Sequence, residues 1–256
     1  MDELETLASL LAVSNCVVVL TGAGISTPSG IPDFRGPQGL WRRVDPEKFT
    51  IEHFFADPDE VWSLFVNHFV VGNAEPNSAH MALATLEEWG KICGIITQNV
   101  DGLHQRAGSK RVVELHGSLK YAVCTSCGSK YPLADVLKEY RGVAPRCKIC
   151  GGLLKPDVVF FGEPLPRDAW EEAVSLAQVS DLFLAVGTSL AVAPANRLPY
   201  IAKSSGAKLA IINEEPTELD HIADVVIRGK VEAVLPRLVQ LTTYYLKGPS
   251  RGDRPL

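Results

Sequence analysis

The sequence lacks any apolar run long enough to cross a membrane as a helix. Its longest apolar stretches, CVVVL (16–20) and DLFLAVG (181–187), fall far short of the roughly 20 residues that a spanning helix needs. The first fifteen residues, MDELETLASLLAVSN, contain no Lys or Arg, so the positive segment of a secretory signal is missing. We therefore expect a soluble, cytoplasmic protein without a membrane partner.

The sequence also lacks an excess of positive charge. It contains 25 Lys and Arg against 30 Asp and Glu, which gives a net charge of -5. Because no basic field surrounds the chain, we expect no direct nucleic-acid binding through bulk electrostatics. The chain has 256 residues and is 46% hydrophobic, which is enough to bury a sizeable core and predicts a globular protein.

Cysteine is scarce, but four of the six cysteines form two C-x-x-C pairs separated by nineteen residues. The paired residues are Cys124, Cys127, Cys147 and Cys150. Four thiolates close a tetrahedral shell around one ion, which is typical of structural zinc; a disulfide pair or a redox site is the alternative. None of the four is expected to be catalytic. The other two, Cys16 and Cys93, lie beside hydrophobic runs, and we expect them to be small buried core residues.

Apolar runs of strand length alternate with helical stretches along most of the chain. The runs are rich in consecutive Val, Ile and Leu, which suits parallel strands covered on both faces. This alternation predicts an open α/β sheet, in which ligands bind at the carboxyl ends of the strands. The predicted strands are 16–22, 92–100, 112–117, 158–163, 181–190 and 207–213, and the predicted helices are 2–14, 78–89, 166–178, 194–205 and 230–246.

Two segments interrupt this alternation. Residues 28–50 are rich in Pro and Gly and lead into a helix in which three aromatic residues share one face, which favours core packing. These are Trp62, Phe65 and Phe69. Residues 119–156 hold the paired cysteines with seven Lys or Arg and two acids. The cations suit either a surface for nucleic acid or an acidic partner or, as we prefer, an offset to the charge of a zinc tetrathiolate. The polar tail, 247–256, is expected to be disordered.

Small and hydrogen-bonding residues follow three of the predicted strands. After the first strand, the glycines of TGAGISTPSG would let backbone amides approach a phosphate, although Thr27 replaces the third glycine of a dinucleotide fingerprint. A tight turn that binds no ligand is the alternative for this stretch. Thr188 and Ser189 could donate to phosphate, and Asn213 and Glu214 could bind ribose or adenine. Three such strand ends in one sheet favour a dinucleotide site.

Two histidines lie near a fourth strand end and compete for a catalytic role. TQNVDGLHQRAG clusters Gln98, Asn99, Asp101 and His104, which suits a site that holds a carboxamide and orients hydroxyl groups. VVELHG then places His116 at the end of the next strand, where an imidazole can act as a general base near neutral pH. An isolated histidine is more often structural, but this setting favours His116.

Several motifs together resemble one family. GAGIS-x3-GIPDFRG, TQNVDGLH, ELHG, the paired C-x-x-C and VVFFGE occur in the order found in sirtuins, the NAD-dependent protein lysine deacylases. The chain resembles the small prokaryotic-type members from about residue 5 to 245. The resemblance implies a Rossmann-like core, NAD as co-substrate, one structural zinc ion and an acyl-lysine peptide as substrate. It also implies acyl transfer from lysine to ADP-ribose, with release of nicotinamide and O-acetyl-ADP-ribose.

The resemblance also implies residue roles and domain bounds. His116 would be the catalytic base, and His104 would support it. The nucleotide would contact Gly22, Ala23, Gly24, Thr27, Phe34, Arg35, Gln98, Asn99, Val100, Asp101, His116, Gly187, Thr188, Ser189, Asn213, Glu214 and Val231. The substrate would add as a strand along Val159, Phe161, Gly162, Glu163 and Val192. The catalytic domain would span 1–246, with a core of 1–36, 76–118 and 157–246, a cofactor loop and helical insertion at 37–75, and a zinc module at 119–156.

One departure from the family pattern bears on the acyl group. Sirtuins that prefer succinyl- or malonyl-lysine resemble each other in a Tyr-x-x-Arg pair, where this chain has Phe65 and His68. Residues 49–90 contain neither Lys nor Arg. A buried acyl carboxylate would lack a fixed cation there, so we expect neutral acyl groups to be preferred.

Two other functions remain consistent with the sequence. A protein ADP-ribosyltransferase would share the nucleotide and the site but pass ADP-ribose to a side chain. A zinc-module DNA-binding or scaffold protein would use NAD only for regulation. The intact mass of a treated substrate protein tests the first, because it separates loss of an acyl group from gain of ADP-ribose. Replacement of His116 by Ala tests the second, because a pure binding protein would keep its activity.

Overall fold

The computed structural model describes residues 2–37, 39–70, 72 and 74–247. Most of the tail that was expected to be disordered, 248–256, lies outside the described residues. The α-helices are α1 (Glu3–Val13), α2 (Ile51–Ala56), α3 (Pro58–His68), α4 (Ser78–Glu88), α5 (Leu103–Arg106), α6 (Leu133–Glu139), α7 (Arg167–Val179), α8 (Leu198–Ser204) and α9 (Val231–Lys247). The strands are β1 (Val17–Thr21), β2 (Ile92–Thr97), β3 (Val112–Glu114), β4 (Gly117–Cys124), β5 (Lys130–Pro132), β6 (Leu154–Val158), β7 (Leu182–Val186), β8 (Lys208–Asn213) and β9 (Val225–Arg228).

Six strands form one parallel sheet in the order β3-β2-β1-β7-β8-β9. The two central strands, VVVLT and LFLAV, are buried at every position, which explains their uninterrupted apolar sequences. From β1 the chain crosses to β2 on one side, and β7 later pairs on the other side. This change of direction opens a crevice at the carboxyl ends of β1 and β7, where α/β folds bind ligands.

Helices cover both faces of the sheet. On one face, α1, α4 and α9 pack through an apolar cluster that includes Leu7, Leu83 and Leu235. On the other, α7 and α8 pack through residues such as Leu176 and Leu198. The Rossmann-like α/β fold class predicted from the sequence is confirmed. No helix in the described part of the chain has both the length and the apolar character that a bilayer crossing requires.

The two insertions form one smaller lobe. A three-stranded antiparallel sheet, β5-β4-β6, carries the cysteines. Its apolar side shares a core with α2 and α3, in which Phe54, Trp62 and Phe65 lie with Leu133. The predicted core role of the aromatic stripe is confirmed at Trp62 and Phe65, which are fully buried. We propose 37–75 and 119–156 as the bounds of the two insertions, as the sequence suggested.

The segment 158–163 differs from its prediction. It is not a strand of the parallel sheet, because its apolar run begins where β6 of the smaller lobe ends and then turns at Gly162, whose φ is 88°. Its burial comes instead from the smaller lobe, in which Val158 and Phe160 lie within the apolar core. A strand that the sequence did not predict, β9, takes the edge of the parallel sheet.

The expectation for Cys16 and Cys93 was wrong. They are half-buried rather than fully buried, and they are joined by a disulfide with their Cα atoms 5.2 Å apart. Cys16 directly precedes β1 and Cys93 lies in β2, which pairs with β1 in parallel. Because the two cysteines are 77 residues apart in the sequence, only the pairing of the strands brings them together.

Trp62 tests the joint between the two insertions, because its indole N–H donates to the carbonyl oxygen of Leu154 at 2.8 Å. Trp62→Phe should lower the free energy of unfolding by about 1–3 kcal/mol, because it removes a buried hydrogen bond and leaves a void. Trp89→Phe makes the same change at a side chain that is 40% exposed. That control should cost less than about 0.5 kcal/mol in urea denaturation. Equal losses in the free energy of unfolding for both variants would show that Trp62 does not hold the two insertions together.

Candidate active site

A cleft of about 1030 Å³ lies between the carboxyl ends of the parallel strands and the smaller lobe. Every residue that was expected to contact the nucleotide or the peptide lines it. From the first half of the chain these are Gly22, Ala23, Gly24, Thr27, Phe34, Arg35, Gln98, Asn99, Val100, Asp101 and His116. From the second half they are Val159, Phe161, Gly162, Glu163, Gly187, Thr188, Ser189, Val192, Asn213, Glu214 and Val231. The fold thus brings these residues together, and their individual contacts with ligands stay predictions.

Glycine is required where the ends of β1 and β7 meet. The amide of Gly24 donates to the carbonyl oxygen of Gly187 at 2.9 Å. A Cβ on Gly24 would lie 2.8 Å from that oxygen, and a Cβ on Gly22 would lie 2.7 Å from the Cβ of Thr188. Gly187 itself has a φ of 58°, which side chains rarely adopt. These glycines therefore serve close backbone packing. The amides of Gly22 and Gly24 are already bonded to Val186 and Gly187, so they are not free to bind a phosphate as the sequence suggested.

The loop after β1 does not lead into a long helix. Two short 3-10 helices, Ala23–Ile25 and Thr27–Ser29, follow β1 instead. The close contact with β7 turns the chain before an α-helix can begin, and Pro28 removes one amide donor. Any phosphate here would be held by loop amides and hydroxyls rather than by a helix end.

A buried polar cluster joins the ends of β1 and β2. The side-chain amide of Asn99 donates to the carbonyl oxygen of Gly22 and to Oγ of Ser26, each at 3.1 Å. Ser26 in turn donates to the carboxylate of Asp101 at 2.7 Å. The side-chain amide of Gln98 reaches Oγ1 of Thr188 at 2.9 Å. The predicted polar residues are thus held in one network before any ligand binds.

His104 lies inside this network and not at its surface. Its Nε2 is 2.9 Å from Oγ1 of Thr21, which donates to Thr97 at 2.8 Å. Burial lowers the pKa of His104 to about 3, and burial also lowers the pKa of the neighbouring His80 to about 4. Both rings are therefore uncharged near neutral pH. The expected supporting role of His104 fits this position, because Thr97 also accepts the amide of Asn99 at 3.1 Å.

His116 is fixed by the backbone and lines the cleft. Its Nδ1 lies 2.9 Å from the carbonyl oxygen of Gln98, which can only accept, so Nδ1 carries the hydrogen. The other nitrogen, Nε2, then holds a lone pair. Burial lowers the pKa of His116 below its ordinary value, and the bond to Gln98 opposes this in part. The ring is therefore neutral and able to accept a proton near pH 7.

An aromatic wall closes one side of the cleft. The ring centroids of Phe34 lie 5.1 Å from Trp41 and 5.9 Å from Phe69, and Trp41 lies 5.9 Å from Phe161. Phe34 belongs to the loop after β1, whereas the other three belong to the smaller lobe and its edge. The wall is apolar and spans both parts of the molecule, so it can cover a reacting centre from water.

The four paired cysteines meet at the outer end of the smaller lobe. All four sulfur atoms lie within 4.8 Å of one another. Cys124 and Cys147 are buried, whereas Cys127 and Cys150 are exposed. Four thiols so arranged fit a closed tetrahedral shell and leave no position for a substrate, as a structural zinc site requires. The cluster is positioned to bind one structural metal ion, in agreement with the sequence.

The model of the Sir2 family matches residues 22–194. The chain belongs to the Sir2 family. It is 63% identical over 239 residues to "NAD-dependent protein deacetylase 1" of Pyrobaculum aerophilum, covering 93% of this chain and 94% of that protein. The resemblance to sirtuins found in the sequence is confirmed.

Solved structures of Sir2 proteins share the fold of this sirtuin. One, a Sir2 complex with a deacetylated p53 peptide and 3′-O-acetyl ADP ribose, has a TM-score of 0.89 and 44% identity, over 94% of this chain and 98% of that one. Another, bound to a myristoylated histone peptide, has a TM-score of 0.81 and 43% identity, over 94% and 97% of the two chains. Those proteins bind acylated or deacylated peptides.

The lysines of the zinc module form ion pairs. Five lysines of this sirtuin pair with carboxylates, and all but Lys155 remain exposed. The pairs are Lys120–Glu114, Lys130–Asp157, Lys138–Asp135, Lys148–Glu139 and Lys155–Glu163. Three of these acids lie outside 119–156, so the count of charges within the insertion overstated its positive character.

Ser26 was missed in the sequence, although it lies at the centre of the polar cluster. It is fully buried and bonds to both Asn99 and Asp101. The feature that could have identified Ser26 is its place in the GAGIS motif, two residues after Gly24, which must be glycine because of its contact with Gly187. His68 lines the cleft, but the aligned Phe65 is buried in the core behind it. The expected preference for neutral acyl groups therefore rests on His68 and on the absence of Lys and Arg from residues 49–90.

The two histidines of this sirtuin should separate in an NMR titration. His116 should titrate below the ordinary value of about 6.5, because burial disfavours the protonated ring. Its ring is thus neutral at pH 7 and gains a proton only as the pH falls below that value. His104 should stay neutral down to a pH of about 3. His116→Ala and His104→Gln assign the two signals, and a midpoint for His116 at or above 6.5 would contradict its described environment.

Proposed function

We propose that this sirtuin is a cytoplasmic NAD-dependent protein lysine deacylase. It transfers the acyl group of a modified lysine to ADP-ribose and releases nicotinamide and O-acetyl-ADP-ribose. The observation that carries the proposal is the imidazole of His116, which keeps a free lone pair on Nε2 in a cleft between two lobes. The names of its relatives support the enzyme class, and one similar structure holds a deacetylated peptide with 3′-O-acetyl ADP ribose.

The lining of the cleft fits a dinucleotide. The hydroxyls of Thr188 and Ser189, which line the cleft beside the loop after β1, would hold the phosphates. Asn213 and Glu214 in the loop after β8 would hold the adenosine half. The segments that would hold the nicotinamide half and the adenosine half follow β2 and β8, which flank the pair of β1 and β7 on opposite sides. Asn99 and Asp101 would form the recess for nicotinamide.

When NAD is bound, it supplies a ribose carbon that loses nicotinamide and bonds to the oxygen of the acyl-lysine. Nε2 of His116 would then accept a proton from a ribose hydroxyl, so that this hydroxyl can attack the acyl carbon. The carbonyl of Gln98 would stabilise the protonated ring through Nδ1. Phe34 and Phe161 would exclude water from the carbon while nicotinamide leaves.

The substrate peptide would bind by strand addition between the segment 159–163 and the loop that carries Val192. Both segments line the cleft. Main-chain hydrogen bonds give affinity with little demand on side chains, so broad peptide tolerance is expected. The peptide-bound Sir2 structures support this class of substrate.

His116→Ala should lower kcat by about 10²–10⁴-fold, because it removes the general base. The Kd for NAD should change by less than about threefold, because the remaining lining is kept. The products are followed by intact mass, where loss of an acyl group marks deacylation and gain of ADP-ribose marks ADP-ribosyl transfer. His221→Ala removes an exposed histidine as the control. A kcat for His116→Ala close to that of the unmodified enzyme would contradict the proposal.

Acetyl-lysine peptide should be processed at least about tenfold more efficiently than succinyl-lysine peptide, because an unpaired carboxylate must be desolvated. Two of the cations that line the cleft already have partners: Arg106 pairs with Glu75 at 2.6 Å, and Nε of Arg42 donates to the carbonyl oxygen of Gly36 at 3.1 Å. His68→Arg should narrow the difference by adding a fixed cation. The measurement is kcat/KM for both peptides. Equal rates in the unmodified enzyme would show that the acyl preference is wrong.

A further inference from the structure

Lys155 is the most enclosed lysine among the ion pairs of the zinc module. Its Nζ lies 3.0 Å from Oε2 of Glu163, and the two side chains are only 14% and 23% exposed. The same ammonium donates to the carbonyl oxygens of Val158 at 2.5 Å and of Pro156 at 3.2 Å. It also lies 4.5 Å from the ring centroid of Phe160. The three N–H donors of the ammonium thus have three oxygen acceptors, and the face of the Phe160 ring covers the group.

Glu163 closes the other side of this arrangement. Its Oε2 accepts the backbone amide of Phe160 at 2.8 Å, and its own amide donates to the carbonyl oxygen of Phe160 at 3.1 Å. Gly162, with a φ of 88°, occupies the third position of the resulting turn. The carboxylate therefore holds the turn through the amide of Phe160 and the ammonium of Lys155.

The turn is also attached to the catalytic region and to the helical insertion. The amide of Val159 donates to the carbonyl oxygen of His116 at 2.9 Å. Phe161 donates to the carbonyl of Phe49 and accepts from the amide of Ile51, each at 2.9 Å. A shift of this turn would thus move the edge of the cleft relative to the imidazole.

We propose that Lys155 and Glu163 are positioning residues, which hold segment 159–163 in the conformation that receives the substrate peptide. This rests on the proposed function, in which that segment pairs with the peptide. Removing either partner leaves a charge that is largely enclosed and unpaired, which favours rearrangement of the turn. The exposed pair Lys130–Asp157, at 57% and 35%, has no such consequence.

The test compares two substrates at saturating NAD: an acetyl-lysine peptide with residues on both sides, and an isolated acetyl-lysine amide without them. Lys155→Met should raise KM for the peptide about tenfold, because the edge that pairs with its backbone is displaced. The short substrate does not use that edge, so the ratio of the two kcat/KM values should fall by about the same factor. Glu163→Gln should change the ratio in the same direction.

Lys130→Met is the matched control, because it removes a lysine of the same sheet but leaves no enclosed, unpaired carboxylate. The ratio of the two kcat/KM values should therefore not change in this variant. Lys155→Arg keeps the charge and should lie closer to the wild type than Lys155→Met. NAD binding by calorimetry identifies folded variants, and Glu163→Gln with Lys155→Arg decides the outcome if Lys155→Met does not fold.

An unchanged ratio in the folded variants, or equal loss on both substrates, would overturn the positioning role. Failure of the proposed function looks different, because the wild type would then remove the acetyl group from neither substrate in the presence of NAD.

Discussion

The close contact between the ends of β1 and β7 is the constraint on which the site depends. Three glycines permit it, since a Cβ on Gly22, Gly24 or Gly187 would lie 2.5–2.8 Å from atoms of the opposite segment. With the two strand ends in contact, the chain after β1 turns back over the sheet and carries Ser26 to Asp101. The polar cluster and the opening of the cleft both follow from this packing. A single side chain at any of these positions would separate the strands that the nucleotide is expected to span.

Two imidazoles in similar burial have different chemical capacities because their hydrogen-bond partners differ. His104 is bonded to Thr21 inside the sheet, and its ring serves the structure of the loop that carries Asn99. His116 is bonded to a backbone carbonyl through Nδ1, which fixes the ring and leaves the other nitrogen for the cleft. Burial lowers the pKa of both, but only at His116 does a neutral ring lie where a substrate hydroxyl could reach it.

The sequence was informative where a local pattern has a local cause. Runs of Val and Leu predicted the buried parallel strands, and the two C-x-x-C pairs predicted the metal cluster. Both patterns are formed by residues that are close together in the sequence. It failed where distant segments meet. The disulfide between Cys16 and Cys93 needs the pairing of β1 with β2, and the burial of 158–163 comes from a lobe built by two insertions. Ser26 needed the fold as well, since only the turn after β1 brings it to Asp101.

The metal cluster and the catalytic region are connected by the same two strands. β4 begins at Gly117, directly after His116, and ends at the ligand Cys124; β6 begins opposite Cys124 and ends at Val158, opposite Gly117. The register shifts between Gly117 and Ala122, so the ladder does not run in one register from the cysteines to His116. At the inner end the amide of Val159 donates to the carbonyl oxygen of His116. A metal ion at the cysteines would therefore hold the outer end of both strands, whereas the position of His116 is held locally by this bond and by the pairing of Gly117 with Val158.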